Sequence, residues 1–192
     1  MIEDFLPHKT PITPSSGTLL ISAPLLKDKY FERSVVLLTH HSPEESVGYI
    51  LNQQHPKSMS QLLQTYLPID FPIYIGGPVS PDSLHVIHHI PHLLQGQLFH
   101  SDLYWNGDVL NAIELLKNGI LPANSCKFFF GYSGWSPGQL EAEIDMFTWL
   151  VSNPTSAHIM ENNIHDLWAK SIELLGPQFK NLLHIPQNPI LN

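Results

Sequence analysis

Four groups of residues in this chain carry side chains or backbone suited to chemistry. The first is Gly131-Tyr132-Ser133-Gly134-Trp135, between an apolar run and a helix start. A serine so placed is similar to the Gly-x-Ser-x-Gly elbow of hydrolases, with Trp135 where the last glycine would stand. A nucleophilic Ser133 needs a general base, and no Asp–His pair is identifiable from spacing. The other reading is a strand-to-helix corner packed by Trp135, whose first-turn N–H groups face an anion. The second group is Gly76-Gly77-Pro78-Val79. Its glycines permit positive φ and close backbone approach, which suits an anion cradle or a tight turn fixed by Pro78. The third is Glu141, Glu143 and Asp145, fit for acid–base work or for holding a cation. Glu141 has a plain structural role near a helix N-terminus, and Glu143 one in a hydrogen bond to backbone. The fourth is His85, His88, His89 and His92. On a helix these would align for zinc. Pro91 and Val86-Ile87 favour a strand, with His85 and His89 on one side and His88 on the other. No metal or cofactor is expected.

The elements that position these groups read as follows. Thr18–Ser22 is a strand stopped by Pro24, and Ser34–His40 with Val47–Asn52 makes a hairpin. Ser58–Leu67 is a short helix capped by Ser58. Pro72–Ile75, Ser83–His89 and Gln97–Tyr104 are strands. Asn106-Gly107-Asp108 opens a helix that Gly119 ends. Lys127–Tyr132 is a buried strand. Ser136-Pro137-Gly138-Gln139 has the form of a capping box, placing a helix from Pro137 to about Glu143. Phe147–Val151 is a strand, and Asn163–Leu175 a final helix before Gly176-Pro177. Strands outnumber long helices without strict alternation, which favours α+β over a doubly wound fold. Residues 1–16 read as an extended arm and 17–192 as one domain.

Composition narrows the function classes. The 192 residues are 43% hydrophobic and 14% charged, a balance opposite to that of disordered chains. Net charge is −8 with histidine neutral, and protonating all twelve histidines would carry it to +4. Arg33 is the sole arginine, and Lys27, Lys29 and Arg33 form the one local basic cluster. Direct DNA reading is therefore not expected. Cys126 is the sole cysteine, so no intrachain disulfide forms. No signal peptide and no membrane-length apolar run is evident, which predicts a cytoplasmic protein.

Several segments together resemble the AlgH-like (YqgE/AlgH) family. They are Gly17-Thr18-Leu19-Leu20-Ile21-Ser22-Ala23-Pro24, Phe31-Glu32-Arg33-Ser34-Val35-Val36, Gly48-Tyr49-Ile50-Leu51-Asn52 and Gly76-Gly77-Pro78-Val79. The longest is Gly131 to Ile144, GYSGWSPGQLEAEI, similar to the family's GYAGWxPGQLExEI. Trp149, Trp168 and Gly176 fit as well. The resemblance implies an α+β fold with a mixed, branched sheet folded into a pseudo-barrel and helices packed outside. Bacterial members are labelled transcriptional regulators, and no reaction is established for the family. Two departures matter. Alanine is usual where Ser133 stands, so a nucleophile would not be a family property. Gln53-Gln54 stands where members carry a basic residue and proline, which weakens an anion contact there.

The expectation is a regulatory or binding protein, monomeric or weakly dimeric. Its ligand site is placed where three motif loops meet: Asn52; Gly76, Gly77, Pro78 and Val79; and Tyr132, Ser133, Gly134, Trp135, Gln139 and Glu143. Backbone N–H groups and Asn52 are expected to hold a small polar or anionic ligand, or a protein partner. The alternative is a hydrolase using Ser133 or Glu143.

Overall fold

The computed structural model describes residues 10, 12–122 and 124–186. Residues 1–9 and 11 of the expected arm, and 187–192, lie outside the described residues. Strands β1 (Leu19–Ser22), β2 (Val35–His41) and β3 (Ser46–Ile50) form a continuous antiparallel ladder, with Leu20 opposite Val36 and Leu37 opposite Tyr49. Apolar residues stand at consecutive positions, Leu19–Ile21 and Val35–Leu38, because both faces are covered. Leu19, Ile21 and Leu37 enter one core cluster, and Leu20, Val36 and Leu38 another. All six are fully buried.

The remaining strands are β4 (Ile73–Ile75), β5 (Val79–His88), β6 (Gln97–His100), β7 (Leu103–Trp105), β8 (Cys126–Trp135) and β9 (Trp149–Ser152). They order as β6-β7-β5-β8-β3-β2-β1-β9, a strongly curled sheet that makes a half-barrel. Strand β8 is the branch point. It pairs with β5 and then β3 antiparallel, and with β4 in the one parallel pairing described. The fold is thus a mixture of helices and strands around a branched sheet, as the resemblance implied.

Helices close the open sides. They are α1 (Met59–Leu63), α2 (Pro91–Leu94), α3 (Val109–Lys117), α4 (Gln139–Asp145), α5 (Ser156–Ile159) and α6 (Leu167–Leu174), then a 3-10 helix at Pro177–His184. Leu167, Trp168 and Ile172 of α6, with Phe179 and Leu182 behind them, fill the inner face against Leu19 and Leu37. Trp168 also donates its Nε1–H to the Ser22 carbonyl at 3.0 Å. Among the described residues no helix is long and apolar enough to cross a membrane.

Several boundaries differ from the sequence reading. Gln97–Tyr104 is a hairpin, because Ser101 turns the chain at φ 42°. Pro91 opens a helix of its own at the first position instead of merely breaking one. Strand β8 continues through Gly131-Tyr132-Ser133-Gly134-Trp135, so the corner falls later, at Ser136–Gly138. The glycines there bend a ladder that β3 keeps paired, with Gly48 opposite Ser133 and Ser46 opposite Trp135. The Ser136 N–H donates to Gln139 Oε1 at 3.1 Å, the reciprocal half of the expected capping box. Helix α4 itself starts at Gln139 behind Gly138 at φ 71°. Strand β9 begins at Trp149 because Phe147 sits at φ 58°.

Candidate functional site

The glycines of two motifs bring two backbone segments into direct contact. A Cβ added at Gly76 would stand 2.3 Å from the Gly131 carbonyl oxygen, and one at Gly77 only 2.4 Å from that of Tyr132. Gly77 also lies at φ 154°. The two motifs therefore need glycine for backbone approach, and the Gly76 N–H is spent on the Phe130 carbonyl at 2.8 Å. That leaves Gly76 as a packing residue, not part of an anion cradle.

Three adjoining clefts open around this crossing. One, of about 370 Å³, is lined by Gly77, Pro78, Tyr30, His55, Asp82 and Phe130, among others. The next, of about 440 Å³, shares Pro78 and adds Gly134, Trp135, Gln139, Glu143 and Trp149. The third, of about 290 Å³, shares Gly134 and Trp135 and adds Val79 and Tyr132. Two of these volumes fall within the usual span of ligand pockets. The structure thus brings Gly77, Pro78, Val79, Tyr132, Gly134, Trp135, Gln139 and Glu143 together at one surface.

Glu143 is the best-fixed polar group there. Its Oε2 accepts from Trp135 Nε1 at 2.9 Å and from Trp149 Nε1 at 2.7 Å. Its Oε1 accepts from Gln139 Nε2 at 2.9 Å, one helical turn earlier. These partners are side chains, not the backbone expected from sequence. Phe31 packs edge-on to Trp149 at 5.4 Å between ring centroids, and the two indoles pack edge-on at 6.1 Å. Trp149 is itself a buried core residue, and the sequence gives no sign of Asp28 and Phe31 at this site. Asp28 lines the same cleft and caps the Tyr30 and Phe31 N–H groups at 2.8 and 3.0 Å.

Two expected site residues face elsewhere. Asn52 Oδ1 accepts from the Val35 N–H and its Nδ2 donates to the Arg33 carbonyl, both at 2.9 Å. The amide locks the entry to β2 and lines none of the three clefts. Ser133 is fully buried, and its hydroxyl donates to the Gly76 carbonyl at 3.0 Å. A hydroxyl so spent is no nucleophile, and it ties the glycine turn to β8.

The histidines are dispersed. His85 lies against the rings of Tyr49 and Tyr132. His88 is fully buried, with Nε2 3.0 Å from the Asn106 carbonyl and Nδ1 accepting from the Ile90 N–H. That arrangement fits the neutral ring, and burial holds its pKa below the usual histidine value. His89 is half-buried, with Nδ1 3.0 Å from Asp102 Oδ2. Among the described residues no group of three or more His, Cys, Asp or Glu has metal-binding geometry.

One charged residue escaped sequence reasoning. Lys127, 1% exposed, donates to the carbonyls of Ile159 at 3.1 Å and Glu161 at 2.6 Å and lies 4.7 Å over the Tyr74 ring. Loss of water pushes its amine down to about 8. A lysine opening an apolar run, Lys127-Phe128-Phe129-Phe130, was the one signal in the sequence.

A family model described as AlgH-like matches residues 19–180. A UPF0301 protein of Parabacteroides distasonis is 38% identical over 184 residues, covering 94% of this chain and 93% of the relative. One from Bacteroides thetaiotaomicron is 37% identical over 182 residues with the same coverage. The solution structure of the AlgH protein from Pseudomonas aeruginosa superposes with a TM-score of 0.68 at 26% identity, over 94% of this chain and 98% of that one. A crystal structure from Corynebacterium diphtheriae gives 0.73 at 22% identity over 89% and 92%, a likeness of fold.

Proposed function

The chain belongs to the AlgH-like family, and on that premise we propose that it is a cytoplasmic binding protein with a regulatory role. It takes a small ligand or a segment of a protein partner in the cleft beside Trp135, without a covalent step and without reading DNA directly. The observation that supports this reading is the Glu143 carboxylate, held by two indoles and an amide at the wall of an open cleft. Fixed polar groups in an otherwise aromatic cleft orient a bound molecule. The hydrolase alternative has less support, because the Ser133 hydroxyl is buried and committed to Gly76.

The test uses Gln139, an exposed side chain at the start of α4 that lines the same cleft. Gln139→Trp therefore fills the cleft mouth at little cost to the fold. Metabolite-induced thermal shifts and affinity capture are measured on the parent and on this variant. The expected result is a ligand or partner retained by the parent and lost by Gln139→Trp, with the melting transition of the variant still cooperative. Binding that survives the substitution would sink the reading.

A further inference from the structure

The charge of this cleft narrows what it can take. Glu143 and Asp28 bring two carboxylates to its wall, Phe31, Trp135 and Trp149 bring three rings, and among the described residues no Lys, Arg or His lines it. Glu143 is fixed only by neutral donors. The ion pairs found among the described residues include neither it nor Asp28. Indole and amide N–H groups satisfy the hydrogen bonds of a carboxylate but leave its charge uncompensated. A partly buried charge of that kind is favoured by a counter-ion, and the half-buried Phe31 ring attracts a cation in the same place. The opposite charge class is disfavoured by Coulomb repulsion from the two carboxylates, and Lys27 and Lys29, which flank Asp28 in the chain, do not line the cleft.

We propose that the cleft is a recognition site for an organic cation, an alkylammonium or guanidinium group, with its charge beside Glu143 and Asp28 and its carbon chain against the rings. This rests on the reading of the cleft as a binding site and replaces the anionic ligand expected from the glycine motifs. Two sources present the same chemistry, a free small amine and the side chain of a lysine or arginine on a partner.

The indole N–H groups of Trp135 and Trp149 touch Glu143, so their NMR signals report directly on the cleft. The full chain is titrated with n-butylammonium, n-propylguanidinium, neutral n-butanol and n-butyrate. The cations are expected to shift both indole signals saturably, while butanol and butyrate leave them in place. Affinity should fall about tenfold in Glu143→Gln and in Asp28→Asn, and should weaken with added salt. Asp28→Asn keeps the oxygen that caps Tyr30 and Phe31, so it tests charge without removing the cap. A lysine-containing tetrapeptide that binds more tightly than butylammonium identifies a partner side chain, and equal or weaker binding identifies a free amine. Butanol or butyrate shifting the same signals as strongly as the cations would overturn the cation and leave the binding site standing. No response to any probe would overturn the cation, and a partner still bound by Gln139→Trp would separately overturn the site.

Discussion

Lys127→Met isolates a buried charge whose energetic effect has a defined pH dependence. The amine is held near 8 in the folded protein, whereas an unfolded lysine titrates near 10.5. Between those values the unfolded chain keeps a proton that the folded one has released. Unfolding then takes up a proton, so stability rises with pH across this window. At about 1.4 kcal/mol per pH unit the full gap is worth about 3.4 kcal/mol, of which about 2.5 kcal/mol falls between pH 7 and pH 10. Methionine has a similar reach and no charge, so the variant lacks this dependence. It also strands the Ile159 and Glu161 carbonyls, a cost of about 1–3 kcal/mol per lost partner that does not vary with pH. The assay is urea unfolding followed by tryptophan fluorescence for both proteins at pH 7, 8, 9 and 10. Tyr74, pushed up to about 12 by burial, stays neutral throughout. Parent-minus-variant stability should climb by about 2.5 kcal/mol over the series. A difference that stays flat to within about 0.5 kcal/mol would show that the amine is not desolvated as placed.

Gly77→Ala drives a Cβ into the Tyr132 carbonyl at a positive φ, and should cost about 2–4 kcal/mol in chemical denaturation; a loss under about 0.5 kcal/mol would contradict the crossing. Ser133→Ala removes one buried hydrogen bond to Gly76 and should lower stability by about 1 kcal/mol without altering ligand or partner binding. Burial lowers the pKa of His85, His88, His100 and His158. The unfolded chain therefore binds more protons as pH falls through about 6.5, and thermal stability should drop between pH 7 and pH 5; a constant or rising melting temperature would refute this sign.

The β2–β3 hairpin was legible because its alternating neighbours are apolar on both faces and its turn is polar. The long motif of β8 supplies Gly134, Trp135, Gln139 and Glu143 to the cleft lining, yet its local composition reads as a corner. Gly134 has turn character alone, and its pairing with Val47 of β3 keeps it in a strand. Asn52 was chosen as a ligand group for its amide, and nothing local shows that residues 33 and 35 consume both ends of it. Glu143 was legible through its motif. Its indole partners were not, since six and eight residues separate them and only the curl of the sheet makes them meet. Lys127 shows in the sequence only as a charge opening an apolar run, because the carbonyls that hold it arrive more than thirty residues later.

The sheet order has a consequence for synthesis of the chain. Strand β1 finds β2 almost at once, but its other edge pairs with β9, Leu19 meeting Ser152 and Ser22 meeting Trp149. On the ribosome that edge stays unpaired while about 130 residues are made, or on the order of ten seconds at usual elongation rates. Leu19, Leu20 and Ile21 are exposed as a nascent apolar ribbon for that interval. Such an open edge templates pairing with another chain. A slowly translated copy is therefore most at risk of misassembly at its first strand, and a holdase that covers this stretch would protect it until β9 emerges.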